Sequence, residues 1–191
     1  LFRSGAVPSV PGLGWRVQGS ARATGDATAP DYVLSNTGMR EAGGSAAMGI
    51  RRHWGKAQLY YSYFGRELGI LRASHIGNLT DLQTAIATGE PWYQAPFTYA
   101  IDAPSQVVQH HLFKAEFEHR VAERSQLTAT YGYQADDRQE YDIRRGGRSD
   151  RQALDLFLTT HTADVVFKHW LGTKVHGKLG ATGVLQDNFN V

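Results

Sequence analysis

The chain has 191 residues and a nearly balanced charge, with 20 Lys and Arg against 18 Asp and Glu. No basic run is long enough to follow a phosphate backbone, so nucleic acid is not expected as a partner. The absence of cysteine removes disulfide frameworks, thiolate metal sites and cysteine nucleophiles. No apolar run approaches the ~20 residues of a membrane-spanning helix, whereas a strand that crosses a bilayer needs only ~9–11 residues, apolar on one side.

The first predicted element is a strand over 15–24. Val17, Gly19, Ala21 and Ala23 alternate there with Arg16, Gln18, Ser20 and Arg22, the period of two that marks a pleated strand. A connection over roughly 25–41 follows. Met48, Ile50, Arg52 and Trp54 then lead through Gly55-Lys56 to Ala57, Leu59, Tyr61 and Tyr63, with Gln58, Tyr60 and Ser62 on the opposite face. Glycine first suits a type II′ turn, which predicts a two-residue loop with Trp54 opposite Ala57.

A long connection over 66–107 comes next. Thr80-Asp81-Leu82-Gln83 matches a capping box, Leu79, Leu82 and Ile86 share one helical face, and Gly89 ends the pattern, so a short helix is expected inside this loop. Asn78-Leu79-Thr80 also matches a glycosylation sequon, but at a helix start Asn78 reads more simply as a cap.

The clearest alternation covers 113–121. Phe113, Ala115, Phe117, His119 and Val121 fall on one face, and Lys114, Glu116, Glu118 and Arg120 on the other. A helix would scatter these charges, and a strand collects them. Beyond Ala122-Glu123-Arg124-Ser125, Leu127, Ala129, Tyr131, Tyr133 and Ala135 oppose Thr128, Thr130, Gly132 and Gln134. Val121 and Leu127 share a face, so parity predicts an odd-numbered loop centred on Arg124, with Phe117 opposite Tyr131 and Glu118 opposite Thr130. Both faces turn polar at 136–140, as expected of a strand that emerges from a hydrocarbon layer into water. After a connection over 142–153, Ala163, Val165, Phe167 and His169 lead through Gly172-Thr173 to Val175, Gly177, Leu179 and Ala181, opposed by Lys174, His176 and Lys178.

These segments make about seven strands. Tight turns near Gly55, Arg124 and Gly172 fall at one end and the long connections at the other, the asymmetry of outer-membrane barrels with short periplasmic turns and long extracellular loops. Trp54 and Trp170 lie beside tight turns, where an interfacial aromatic belt would place them. Arg52 and His169, directed toward lipid, are near enough to the turns to reach headgroups. The expected class is all-β, an antiparallel transmembrane β-barrel segment of long meander strands. A soluble β-sandwich also alternates, but its strands usually run only ~5–6 residues.

The stretch over 61–82, from Tyr61-Ser62-Tyr63-Phe64-Gly65-Arg66 to Asn78-Leu79-Thr80-Asp81-Leu82, resembles part of the barrel of TonB-dependent receptors of the Bacteroidetes type. The segments over 29–38, with Ala29-Pro30-Asp31-Tyr32, and 138–147, with Arg138-Gln139-Glu140-Tyr141, are similar to loop segments of those barrels. The resemblance implies a barrel of about twenty-two strands, a plug inside it, and energised uptake of a nutrient, often an iron complex. Residues 1–191 would be one part of such a barrel. No plug or TonB-contacting box is recognisable before residue 15, and Asn188-Phe189-Asn190-Val191 lacks the terminal aromatic usual in these barrels. The expectation is an internal barrel fragment whose contact with TonB runs through a plug region outside this chain.

The 66–107 loop is the leading candidate for ligand contact, through Arg72, His75, Trp92 and Tyr93, since connections this long are uncommon without a role. The competing reading has the aromatics forming the loop's own small core. His110 and His111 are adjacent on a strand, point to opposite faces and cannot share one ion. Arg144, Arg145, Arg148 and Arg151, with Asp142 and Asp150, suit either an anionic ligand such as lipopolysaccharide phosphate or a solvated loop tip. No phosphate loop, nucleophile elbow or paired metal-ligand motif occurs, so neither cofactor nor metal is expected. Three functions remain. The first is an outer-membrane receptor for TonB-dependent uptake of a siderophore or other iron complex, not an enzyme, in contact with outer-membrane lipid and lipopolysaccharide. The second is a porin-like or hydrolase barrel, the latter drawing on residues such as Ser62 and His119. The third is a soluble β-sandwich binding protein.

Overall fold

The computed structural model describes all residues except His75, Gly77, 144–148, 172–174 and Val191, and the backbone alone of Leu171. Ten strands run along the chain: β1 (Phe2–Ala6), β2 (Leu13–Thr24), β3 (Ala27–Thr28), β4 (Val33–Leu34), β5 (Met39–Arg52), β6 (Gly55–Gly69), β7 (Ser105–Ala122), β8 (Ser125–Tyr141), β9 (Gln152–Leu171) and β10 (Val175–Asn190). A helix, α1 (Leu79–Thr88), lies in the long loop between β6 and β7. Eight strands form one antiparallel meander in the order β1-β2-β5-β6-β7-β8-β9-β10, and β3 and β4 form a separate ribbon. The sheet is open, with β1 and β10 at its two edges. Seven strands were expected; the eighth is β1, five residues between Leu1 and Val7 that offer too few alternations to be read from pattern.

Period-two alternation holds across the whole sheet. One row of directly paired residues runs Trp15, Met48, Leu59, Ala115, Tyr131, Ala163, Gly183. The next row on the other face runs Gln58, Glu116, Thr130, Asp164, Thr182. The sheet therefore has an apolar face and a polar face, as the alternation predicts. Nothing among the described residues covers the apolar face: Met48 is 52% exposed, Leu59 47%, Phe117 43% and Val165 47%. Among the described residues, the buried hydrophobic side chains are Ala73 and Ala135, with Pro104 fully buried. The best-buried polar residues, Asp26, Ser35, Asn36 and Ser105, gather instead at the long-loop end of the sheet.

Faces are as predicted, and register differs. Across β7 and β8, Phe117 pairs with Ala129 and Glu118 with Thr128, two residues away from the expected partners. The turn is the two residues Glu123-Arg124, closed by Ala122 opposite Ser125, and the ladder shifts between Arg120 and Ala122. Val121 is thus the extra residue of a β-bulge. A two-residue turn plus one bulged residue keeps the odd parity that places Val121 and Leu127 in phase. Across β5 and β6 the loop has two residues, as expected, but they are His53 and Trp54, with Arg52 opposite Gly55 and Ile50 opposite Ala57. Gly55 follows the turn at φ +146, where an added Cβ would sit 1.9 Å from the Glu118 carbonyl oxygen. The pairing of β9 with β10 keeps Phe167 with Leu179 and His169 with Gly177 in phase; the expected turn at Gly172-Thr173 lies outside the described residues.

The tight ends of successive hairpins are staggered. Relative to the row that holds Arg52, Gly55 and His119, the innermost pair of β1 with β2, Ala6 and Gly14, lies three residues toward the loop end. Ser125 lies two residues past that row in the opposite direction, and Leu171 four residues past it.

Candidate functional site

The long loops form a tied assembly at one end of the sheet. Asn36 adopts a left-handed conformation, φ 64, which Asn tolerates better than most residues. Its Nδ2 donates to the carbonyls of Ile70 at 2.9 Å, Asp102 at 3.0 Å and Pro104 at 2.8 Å, and its Oδ1 accepts from Asp102 N at 2.8 Å. Asp26 extends the same junction: its carboxylate accepts from Thr37 N at 2.9 Å and Thr98 N at 3.2 Å. Ser35 Oγ accepts from Ala95 N at 2.8 Å, and Ser35 O accepts from Arg72 N at 3.2 Å. Residues 26–37 therefore hold both ends of the 70–104 loop through buried polar contacts. Sequence reasoning missed this hub; the available signal was Ser35-Asn36-Thr37-Gly38, a turn-forming cluster in an otherwise polar connection.

Three of the four candidate ligand residues come together on that scaffold. The Arg72 guanidinium lies 4.5 Å from the Tyr93 ring centroid, a cation–π arrangement. Trp92 packs edge-on against Tyr93 at 5.8 Å, and its Nε1 donates to Ala73 O at 2.9 Å. All three are half-buried. The fourth, His75, lies outside the described residues. Trp92 has its one donor engaged within the loop, so a ligand would meet ring faces and the guanidinium rather than the indole N–H.

Helix α1 is capped by Asn78, whose Oδ1 accepts from Asp81 N at 2.8 Å while its Nδ2 donates to Asp81 Oδ2 at 2.8 Å. The box therefore starts two residues earlier than Thr80. Asn78 caps the helix as expected, and Gly89 closes it at φ 69 with its N–H donating to Ala85 O. Leu79 and Ile86, on the helix's apolar side, are 67% and 72% exposed.

The polar face carries a ladder of ion pairs and hydrogen bonds. Glu116 accepts from Lys56 at 2.9 Å and from Lys114 at 3.2 Å. Glu140 accepts from Gln106 at 3.0 Å and from Arg138 Nε at 3.0 Å. Near the tight turns, Glu118, Arg120, Arg124 and Lys168 line a cavity of about 300 Å³. Trp170 also lies on this face, stacked on His176 with centroids 4.8 Å apart, because its register matches Lys168 and not His169. It therefore lies on the face opposite Phe167 and His169. Trp54, within its turn, stacks on Phe117 with ring centroids 5.5 Å apart.

The remaining candidates separate. His110 and His111 point to opposite faces, as adjacent strand residues do. Ser62 pairs with Leu112 on the polar face and His119 with Leu127 on the apolar face, so no hydrolase site forms from them. Of the arginine cluster, Arg144, Arg145 and Arg148 lie outside the described residues. Among the described residues, no three His, Cys, Asp or Glu side chains are placed to hold a metal ion. Comparisons with family models, with curated proteins and with solved structures found no match for this chain.

Proposed function

We propose that this chain forms part of the wall of an outer-membrane β-barrel receptor that takes up a nutrient, a siderophore or other iron complex, in a TonB-dependent manner. The apolar face then meets outer-membrane lipid and lipopolysaccharide, the polar face lines the lumen, and the tied loops face the outside. The observation that carries this reading is a bare apolar face extending over strands of 12–20 residues, backed by a face rich in ion pairs. A sandwich would cover that apolar face with a second sheet, and its strands would be shorter. The eight strands here form an open sheet; further strands would close it around a wide lumen. Arg72, Trp92 and Tyr93 offer an anionic, conjugated chelate a cation and two ring faces.

The test uses the intact protein. It should remain soluble only in detergent or lipid, and a ferric catecholate chelate should quench its tryptophan fluorescence saturably. Arg72→Ala should weaken that binding roughly tenfold, corresponding to ~1.4 kcal/mol. A monodisperse protein in plain buffer would overturn the membrane reading; unchanged affinity in Arg72→Ala would remove this loop as the ligand site.

A further inference from the structure

The apolar face contains a motif that occurs twice. His111, Phe117 and His119 on β7 have the spacing of His161, Phe167 and His169 on β9. Each is preceded by a strand whose apolar side carries a tyrosine pair two residues apart, Tyr61 and Tyr63 on β6 and Tyr131 and Tyr133 on β8. The side chains repeat the arrangement as well. Tyr61 Oη and His111 Nδ1 are hydrogen-bonded at 2.8 Å, as are Tyr131 Oη and His161 Nδ1. Tyr63 packs on His111 at 5.0 Å, and Tyr133 on His161 at 4.9 Å. Toward the turns, His119 stacks on Phe117 at 13° and His169 on Phe167 at 17°.

The two copies are not in the same hydrogen-bonded row. The row of His111 reaches β9 at Thr159, and the row of His119 reaches it at Phe167, so the second copy is displaced two residues toward the turns. Two residues are ~7 Å along a strand, and two strand spacings are ~9.6 Å across the sheet. Features at one height in a tilted sheet would show this offset at a strand tilt of about 35°, the lower end of the ~35–45° found in membrane barrels. The stagger of the hairpin ends, from three residues before the reference row to four residues after it, runs in the same direction at a similar rate. Both observations become simple if like features lie at one level.

Toward the loops, the first polar positions on the apolar side are Glu67 on β6, Gln109 on β7, Asp137 on β8 and Thr159 on β9, with Val107 and Phe157 beyond them; toward the turns, Val121 and the charged turn Glu123-Arg124 follow His119. Between His111 and His119 lie Phe113, Ala115 and Phe117 with their row partners.

We propose, on the basis of the barrel reading above, that the repeated motif fits this face to a lipid bilayer with a thin hydrocarbon layer. The Tyr–His hydrogen-bonded pairs mark its outer boundary and the Phe–His stacks its inner boundary. Eight residues separate the boundary histidines on each strand, ~27 Å along the strand and roughly 22 Å along the membrane normal at this tilt. The Tyr61 and Tyr131 hydroxyls are each paired with an imidazole, so these two rings can lie against acyl chains without an unpaired donor. The occupant is lipid rather than a second protein layer, because the first polar positions on the loop side, Glu67, Gln109, Asp137 and Thr159, step toward the turns from β6 to β9 instead of ringing a patch.

The test labels the otherwise cysteine-free protein with a fluorophore at Ala115→Cys, Val165→Cys or Ala163→Cys and reads depth by quenching with lipids brominated along the acyl chain. Ala115 and Val165 occupy equivalent places in the two copies and should report equal depth. Ala115 and Ala163 share a hydrogen-bonded row and should differ by about 5–6 Å. Equal depths for Ala115 and Ala163, with a different depth for Val165, would overturn the proposal while leaving a membrane barrel in place. Absence of quenching at all three positions, in protein that stays soluble when mixed with the brominated vesicles and does not bind them, would overturn the barrel reading itself. As a second readout, His111→Leu with His161→Leu extends the apolar band by one row and should move the vesicle chain length of highest thermal stability upward. An unchanged optimum would refute the boundary assignment.

Discussion

Asn36 and Pro104 are 68 residues apart in sequence, yet the Asn36 side chain donates to the Pro104 carbonyl at 2.8 Å and closes two long loops onto each other. The same amide reaches Ile70 and Asp102, so one buried side chain spans the first connection and both ends of the second.

Asn36→Asp keeps the shape and replaces donors with a carboxylate facing three carbonyls. We expect the loop assembly to lose about 1–3 kcal/mol, the cost of leaving buried polar groups unpaired. Hydrogen exchange at 95–104 should accelerate while amides of β7 and β8 stay protected. Uniform acceleration across the sheet would show that Asn36 acts beyond the loops.

The β7–β8 register is testable by cross-linking. Phe117→Cys with Ala129→Cys should oxidise to a disulfide, since directly opposed residues have Cα atoms ~4.5–5.5 Å apart. Phe117→Cys with Tyr131→Cys is a diagonal pair at ~7–8 Å and should not. Mass spectrometry of the oxidised proteins distinguishes the bulged register from the one that parity alone suggests.

Gly55→Ala should destabilise the β5–β6 hairpin by at least ~1–3 kcal/mol, because φ +146 lies in a region nearly confined to glycine and the added methyl meets the backbone of Glu118. Equilibrium unfolding of the intact protein measures the loss. A neutral result would mean that the turn rearranges.

In the proposed barrel, Leu59→Arg lies in the middle row of the apolar band and should cost ~2–4 kcal/mol in lipid vesicles. Gln58→Arg, one residue away on the polar face, should cost far less. Equal costs would invert or abolish the assignment of faces.

Strand identity and facing were legible because each alternation extends over many residues, and a shift of two leaves every side chain on its own face. Register was not legible for the same reason. Parity could not distinguish an odd loop at Arg124 from a two-residue turn with Val121 bulged, and Gly55 drew the turn away from His53-Trp54. The loop site was partly legible. Composition singled out Arg72, Trp92 and Tyr93, whose types suit ring and cation contacts, but Asn36, Asp26 and Ser35 act through contacts of long sequence separation that no local pattern encodes. Closeness to a turn was legible for Trp170, whereas its face follows from strand parity with Lys168.

Strand β10 has a consequence for handling the protein. Sixteen residues pair with β9 on one side, and among the described residues no strand lies on the other. The outer side bears no proline and only two charged side chains, Lys178 and Asp187, so it lacks the usual devices that discourage edge pairing. Material lacking a neighbour for that strand should be recovered as insoluble, strand-paired aggregates, and a peptide able to pair antiparallel with 175–190 should keep it dispersed. Such a peptide would act as a chaperone in trans, supplying a missing backbone ladder instead of shielding grease.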